Sequence, residues 1–180
     1  MLASLLRQQA HRRQGGDRLT IASAGIDARF GDPAATGSQR VAVEMGLSLA
    51  DHRSQPVSYV DLAAPRLIVT MTRRQRHLMS SAADGLAPRV FAVRELVRAL
   101  DRMPQLDTRE QLLGRARCSA DRLVWKTTLA NVYRPNTRFR PSIDIPDPIG
   151  GDHRTFQRLG AEFRVVATTL ADHLFGPAKE

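Results

Sequence analysis

The chain has 180 residues, 42% of them hydrophobic, enough for one domain with its own core and too many for wholesale disorder. Twenty-seven basic residues against 18 acidic ones leave a net charge of +9. Only Lys126 and Lys179 are lysines, and the arginines are scattered with few aromatics between them for base stacking, so a nucleic-acid partner is disfavoured.

In chain order, Leu2, Leu5 and Leu6 share one helical face, and Arg7 to Gln14 continue that helix until Gly15-Gly16-Asp17 stops it. Leu19-Thr20-Ile21-Ala22-Ser23 reads as a strand ending at Ala24-Gly25, and Asp32-Pro33 opens a turn. A second helix is expected from about Thr36 to Met45, closed by Gly46. Leu67-Ile68-Val69-Thr70-Met71 suits a strand buried on both faces of a parallel sheet. Thr72 is placed to cap a helix over Arg73 to Ser80. Arg89-Val90-Phe91-Ala92 is a third short strand, and Glu95 to Leu100 is helical again.

Residues from about 101 to 142 are polar, Arg-rich and broken by Pro104, Gly114, Pro135 and Pro141. They read as a partly mobile surface insertion in a single domain spanning 1–180, with a helix over Thr108 to Arg117 and with Trp125 and Tyr133 as anchors. Phe156, Leu159, Phe163, Val166, Leu170 and Leu174 then recur every three or four residues and define a long last helix ending at Gly176-Pro177. Strands alternating with helices call for a parallel sheet covered on both faces, an α/β, three-layer, doubly wound fold.

No apolar run approaches the roughly 18 residues of a membrane span, and Met1 to Arg7 is too short for a signal peptide, so no membrane partner is expected. One cysteine, Cys118, rules out an internal disulfide framework and a multi-thiolate metal cluster, and makes a cytoplasmic setting the expectation. His11, His77, His153 and His173 have no metal-like spacing, so neither metal nor cofactor is expected.

Three stretches in order resemble the low-molecular-weight protein tyrosine phosphatases. Leu19 to Gly25, with Asp32-Pro33, Gly46 and Asp51-His52-Arg53, is similar to that family's second strand, Ser-Ala-Gly turn and following helix. Leu67 to Thr72 is similar to its buried strand ending in Met-Thr or Met-Asp, and Asp144-Ile145-Pro146-Asp147-Pro148-Ile149-Gly150-Gly151 to its acid loop. The resemblance implies a four-stranded parallel sheet and hydrolysis of aryl phosphates, phosphotyrosine in phosphoproteins above all, through a phosphocysteine intermediate.

In that family a Cys-x5-Arg-Ser-Pro loop cradles the phosphate with backbone amides and a forked arginine, and the same positive field makes the thiol a thiolate. Residues 1–180 contain no such loop. Leu2 to Arg7 look like the helix that follows it, so the central first strand and the nucleophile loop are expected to be missing. Cys118 is no substitute: position 124, where the arginine would stand, is valine, and no glycine lies between Cys118 and Arg122.

By the same resemblance Asp147 is the general acid that protonates the leaving oxygen and then activates water. Ser23 supports the phosphate loop through a hydrogen bond, and Pro148 and Ile149 line the cleft. Ile149 stands where many relatives carry an aromatic, so the wall covers a substrate ring without stacking on it. His52 and Arg53 read as structural. Three readings stay open: an enzyme whose start was assigned too far downstream, a pseudo-phosphatase that binds without turnover, and a basic nucleic-acid binder. A thiol-cascade arsenate reductase is discounted because one cysteine cannot run a relay. Without its first strand the sheet is expected to keep strands at about 19–23, 67–71 and 89–92, and to be partly molten or to pair 19–23 directly with 67–71.

Overall fold

The computed structural model describes residues 1–13, 19–103, 119–135 and 143–175. Its helices are α1 (Leu2–His11), α2 (Thr36–Glu44), α3 (Arg73–Ser80), α4 (Val93–Arg102), α5 (Ser119–Val132) and α6 (His153–Phe175), with strands β1 (Ile68–Thr70) and β2 (Val90–Ala92). The strands pair in parallel, in the register Ile68 with Val90, Val69 with Phe91 and Thr70 with Ala92. The helix boundaries follow local chemistry. Thr72 caps α3 in a capping box with Gln75, whose side-chain oxygen takes the amides of Met71 and Thr72. Gly46, at φ 73°, takes the left-handed conformation just beyond α2 that a side chain resists.

Alternation along the strands sorts their side chains to two faces. Val69 and Phe91 join the larger core, built by α1, α4, α5 and α6. Ile68 and Val90 join a smaller cluster with Met79 of α3, Leu86, Ile26, Val57 and Leu62. The sheet is therefore the middle layer of three, and the protein is an α/β fold with a small parallel sheet flanked by helices. The α6 stripe read from the sequence is the spine of the larger core: Phe163, Val166, Leu170 and Leu174 are buried in it, and Phe156 is buried beside Gly37 of α2. Glycine brings α2 close to that helix, because a Cβ on Gly160 would meet the Val41 Cγ1 at 2.6 Å. Arg13, itself buried, fixes the chain just beyond α1 through an ion pair with Asp172 of α6.

Two expectations change. Residues 19–23 form no strand: among the described residues the sheet has two strands, and no backbone hydrogen bond joins 19–24 to 67–71. A strand exists only by pairing, and this segment has no ladder partner to hold it. Leu19 and Ile21 still pack on the core, and Arg7 Nε donates to the Ile21 carbonyl at 2.8 Å. The second change lies in the 101–142 segment. The helix expected over 108–117 falls outside the described residues, but α5 is a helix the sequence reading lacked. It packs against α4 and α6, buries Thr127 and Ala130, and sets Tyr133 against the core, while Trp125 is half-buried.

Candidate active site

The loop that carries Asp147 leaves the core at Ile143 and Ile145, both buried. Between them Asp144 is held from two sides. Its Oδ1 accepts the Arg73 amide at 2.7 Å, an orphan N–H of the first turn of α3, and the Arg73 guanidinium lies 3.5 Å from its Oδ2. Its carbonyl accepts from Arg94 Nη1 at 2.8 Å. The next amide, that of Ile145, donates to the Met71 carbonyl at 2.9 Å, just past the end of β1. Three bonds in two residues thus fix where the loop departs.

Beyond that point the chain is solvated. Asp147 is exposed, and its Oδ1 accepts the Ile149 amide at 3.0 Å, an Asx turn that orients the carboxylate along its own loop. Pro148 is half-buried, and Ile149 is 74% exposed. Gly150, at φ 84°, and the Gly151 amide, donating to the Pro148 carbonyl at 2.8 Å, close the turn. A Cβ on Gly151 would stand 3.0 Å from that carbonyl. Asp152 then caps α6, its Oδ1 accepting both the hydroxyl and the amide of Thr155 at 2.8 Å. Those two bonds, the hydroxyl first, hold its carboxyl below the usual carboxylate range.

Ser23 is exposed at the head of the Ser-Ala-Gly turn. Its carbonyl accepts from Gln55 Nε2 at 3.0 Å, the Gly25 amide donates to the Gln55 carbonyl at 3.0 Å, and Val57 donates back to Gly25 at 2.9 Å. The turn is therefore pinned to the 55–57 segment. Asp147, Pro148 and Ile149 share one loop; Ser23 makes no hydrogen bond to any of them. His52 is half-buried, and burial first, then the cations around it, Arg7 and Arg53 among them, lower its pKa. Cys118 lies outside the described residues. Among the described residues no group of three His, Cys, Asp or Glu is arranged to hold a metal ion. No described helix is long and apolar enough to cross a membrane.

Sequence reasoning overlooked the residues that hold the loop: Asp144, Arg73, Arg94 and Glu162. One signal was available. Asp144 opens the acid-loop motif, and the uncapped amides of α3 need an acceptor.

Residues 1–110 match the family model described as low molecular weight phosphotyrosine protein phosphatase. The chain belongs to this family. Among solved structures, a YwlE mutant from Bacillus subtilis is similar at 18% identity and TM-score 0.62, over 96% of this chain and 87% of that one. The YwlE arginine phosphatase from Geobacillus stearothermophilus is similar at 17% identity and TM-score 0.59, over 95% and 81%. The low molecular weight protein tyrosine phosphatase from T. tengcongensis is similar at 17% identity and TM-score 0.57, over 94% and 90%. At these identities the likeness carries the fold. No curated protein matches. The matched residues end before Asp147, and the family's Cys-x5-Arg sequence is found nowhere in residues 1–180.

Proposed function

We propose that this domain is the scaffold and acid loop of a phosphoester hydrolase, with Asp147 as the general acid. The proposal takes residues 1–180 as one domain, the 101–142 segment being an insertion docked through α5. The observation that carries the reading is the way the acid loop is held: Asp144 and Ile145 are tied to α3, α4 and β1, and Asp147 follows two residues later, exposed on a short turn. A carboxylate presented this way can donate a proton to a leaving oxygen and then take one from water, a role worth about 10²–10⁴-fold. It does not supply a nucleophile. Residues 1–180 alone therefore leave aryl phosphates unhydrolysed. Turnover by purified 1–180 that is abolished by Cys118→Ser would overturn this assignment.

The positive test joins an apolar strand and a Cys-x5-Arg-Ser-Pro segment ahead of Met1. That chain is expected to hydrolyse aryl phosphates. Asp147→Ala should then slow phenyl phosphate, a poor leaving group, far more than 4-nitrophenyl phosphate, whose leaving group needs little protonation. Equal losses on both would show that Asp147 is not a general acid.

A second substrate class, phosphoarginine, is favoured by Ile149. A guanidine leaving group still needs a proton on nitrogen but offers no aromatic face for a stacking wall, and a structural neighbour is described as an arginine phosphatase. Phosphoarginine offered beside phenyl phosphate separates the two: a higher kcat/KM on phosphoarginine supports the second class.

A further inference from the structure

We infer that Arg94 is a positioning residue that sets the acid loop by tying its start to the body of the helix that follows it; the inference rests on the reading of Asp147 as the general acid. The loop starts at Asp144 and ends where α6 begins at His153. One guanidinium joins that start to Glu162, well inside α6. Arg94 Nη1 donates to the Asp144 carbonyl at 2.8 Å, while Nε and Nη2 form a fork on Glu162 of α6, at 2.6 Å to Oε1 and 2.8 Å to Oε2. Arg94 itself stands on α4, next to Glu95, which is wholly buried. The grip therefore starts from a fixed base.

The geometry suits arginine and no other residue. A guanidinium carries rigid donors in one plane, so it can fill a carboxylate fork with one edge and still reach a carbonyl with another donor. Both partners are about one-third exposed, so the pair holds position more than it adds stability. The hydrogen bonds to Glu162, first, and the nearby carboxylates of Glu162 and Asp144 keep Arg94 charged, raising its pKa above the ordinary value. Arg73 acts on the same loop from the other side, but it reaches Asp144 alone. Arg94 connects the loop's start to the body of α6. With the loop's start and the body of α6 both held to α4, and Asp152 capping α6, the six residues from Pro146 to Gly151 form a short turn between fixed supports, which keeps the Asp147 carboxylate in one place.

The test reads loop order directly in the 1–180 chain. Hydrogen exchange is followed by mass spectrometry on peptides covering 143–152, with peptides from the last turns of α6 as an internal control. Arg94→Met and Glu162→Ala are each expected to speed exchange of the loop about tenfold or more and leave the last turns of α6 unchanged. The double variant should add nothing further, because the two residues act as one unit. Should Arg94→Met loosen α6 as well, Arg94→Lys decides: it keeps the charge, loses the fork, and is expected to free the loop alone. Wild-type exchange of 143–152 in these variants overturns the inference, as does full additivity of the double variant.

In the chain completed with a phosphate loop, Arg94→Met should lower kcat for phenyl phosphate about 10–100-fold and for 4-nitrophenyl phosphate less than about threefold, with KM unchanged. A uniform loss on both substrates would mean that Arg94 supports the fold and not the acid. If the completed chain shows no activity, the phosphatase reading fails while the exchange experiment still judges the grip.

Discussion

Glu95 offers the sharpest test of how the sheet is held. Its side chain is 1% exposed at the start of α4. One oxygen, Oε2, accepts the Ala92 amide at 3.1 Å; the other, Oε1, lies 3.3 Å from Arg134 Nη1 and 3.6 Å from Arg76 Nη1. Arg134 reaches this point from the end of α5, with both terminal nitrogens 3.1 Å from the Val90 carbonyl and its guanidinium carbon 3.9 Å from the centre of the Phe91 ring. Burial lowers the Arg134 pKa and Glu95 opposes that effect, so the carboxylate is what makes a charged Arg134 tolerable beside β2.

Glu95→Gln keeps the shape and an acceptor for Ala92 but removes the charge. Orphaning a fully buried partner costs about 3–5 kcal/mol. Here the orphans are incompletely buried, Arg134 at 19% exposure and Arg76 at 30%, and Arg134 keeps its carbonyls and its ring. Arg76 can turn toward water and contributes little. We therefore expect a loss near the lower end, about 3 kcal/mol, read as a fall of roughly 1.5 M in the urea midpoint for an m-value of about 2 kcal/mol/M. Adding Arg134→Met to Glu95→Gln should recover part of that loss, since the orphaned charge is gone. A Glu95→Gln midpoint within about 0.3 M of the parent, or a strictly additive double variant, would refute the view that this carboxylate neutralises Arg134.

Two further predictions concern the surroundings of the acid loop. Thr72→Ala removes half of the capping box on α3 and should cost about 0.5–2 kcal/mol, with Thr72→Ser restoring most of it in the same urea titration. The depressed pKa of His52 fixes the sign of a pH dependence: the folded state binds its proton less readily than the unfolded state, so the contribution is complete above the ordinary value of 6.5 and lost as pH falls through the lower folded value. Thermal midpoints of His52→Gln should show a flatter slope than the parent below pH 6.5, and an unchanged slope would mean that His52 is not the group responsible.

Much of the fold was legible because the signals were local. Apolar residues at helical spacing marked α6, Thr72 marked the start of α3 to the residue, and two short aliphatic runs marked β1 and β2. Helix α5 was overlooked for a physical reason. Its fully buried positions are small or polar, Thr127 and Ala130, its core-packed leucines Leu123 and Leu129 are only partly buried, and Arg122 and Lys126 interrupt the apolar face around Trp125. Such a helix is stabilised by what it docks on, not by a stripe of its own. The arginine at its end does as much as its apolar surface, and no periodicity reports that a guanidinium will find a carbonyl 44 residues away.

The same distinction separates the two halves of the candidate site. The turn at 147–151 was legible because Asp-Pro-x-Gly-Gly is a contiguous stretch whose neighbours dictate its shape. Arg94 and Glu162 were not, since they stand 68 positions apart and each looks like an ordinary surface charge until the fold brings them together. Residues 19–23 fail in the opposite sense. Leu-Thr-Ile-Ala-Ser has the alternation of a strand, and Ile21 does turn toward the core, yet its backbone carbonyls at Ile21 and Ser23 take side-chain donors and no ladder forms. Alternation specifies which face a side chain seeks; pairing specifies whether a strand exists. A segment can satisfy the first and lack the second, which is why side-chain burial at 19–23 follows the sequence reading while its secondary structure does not.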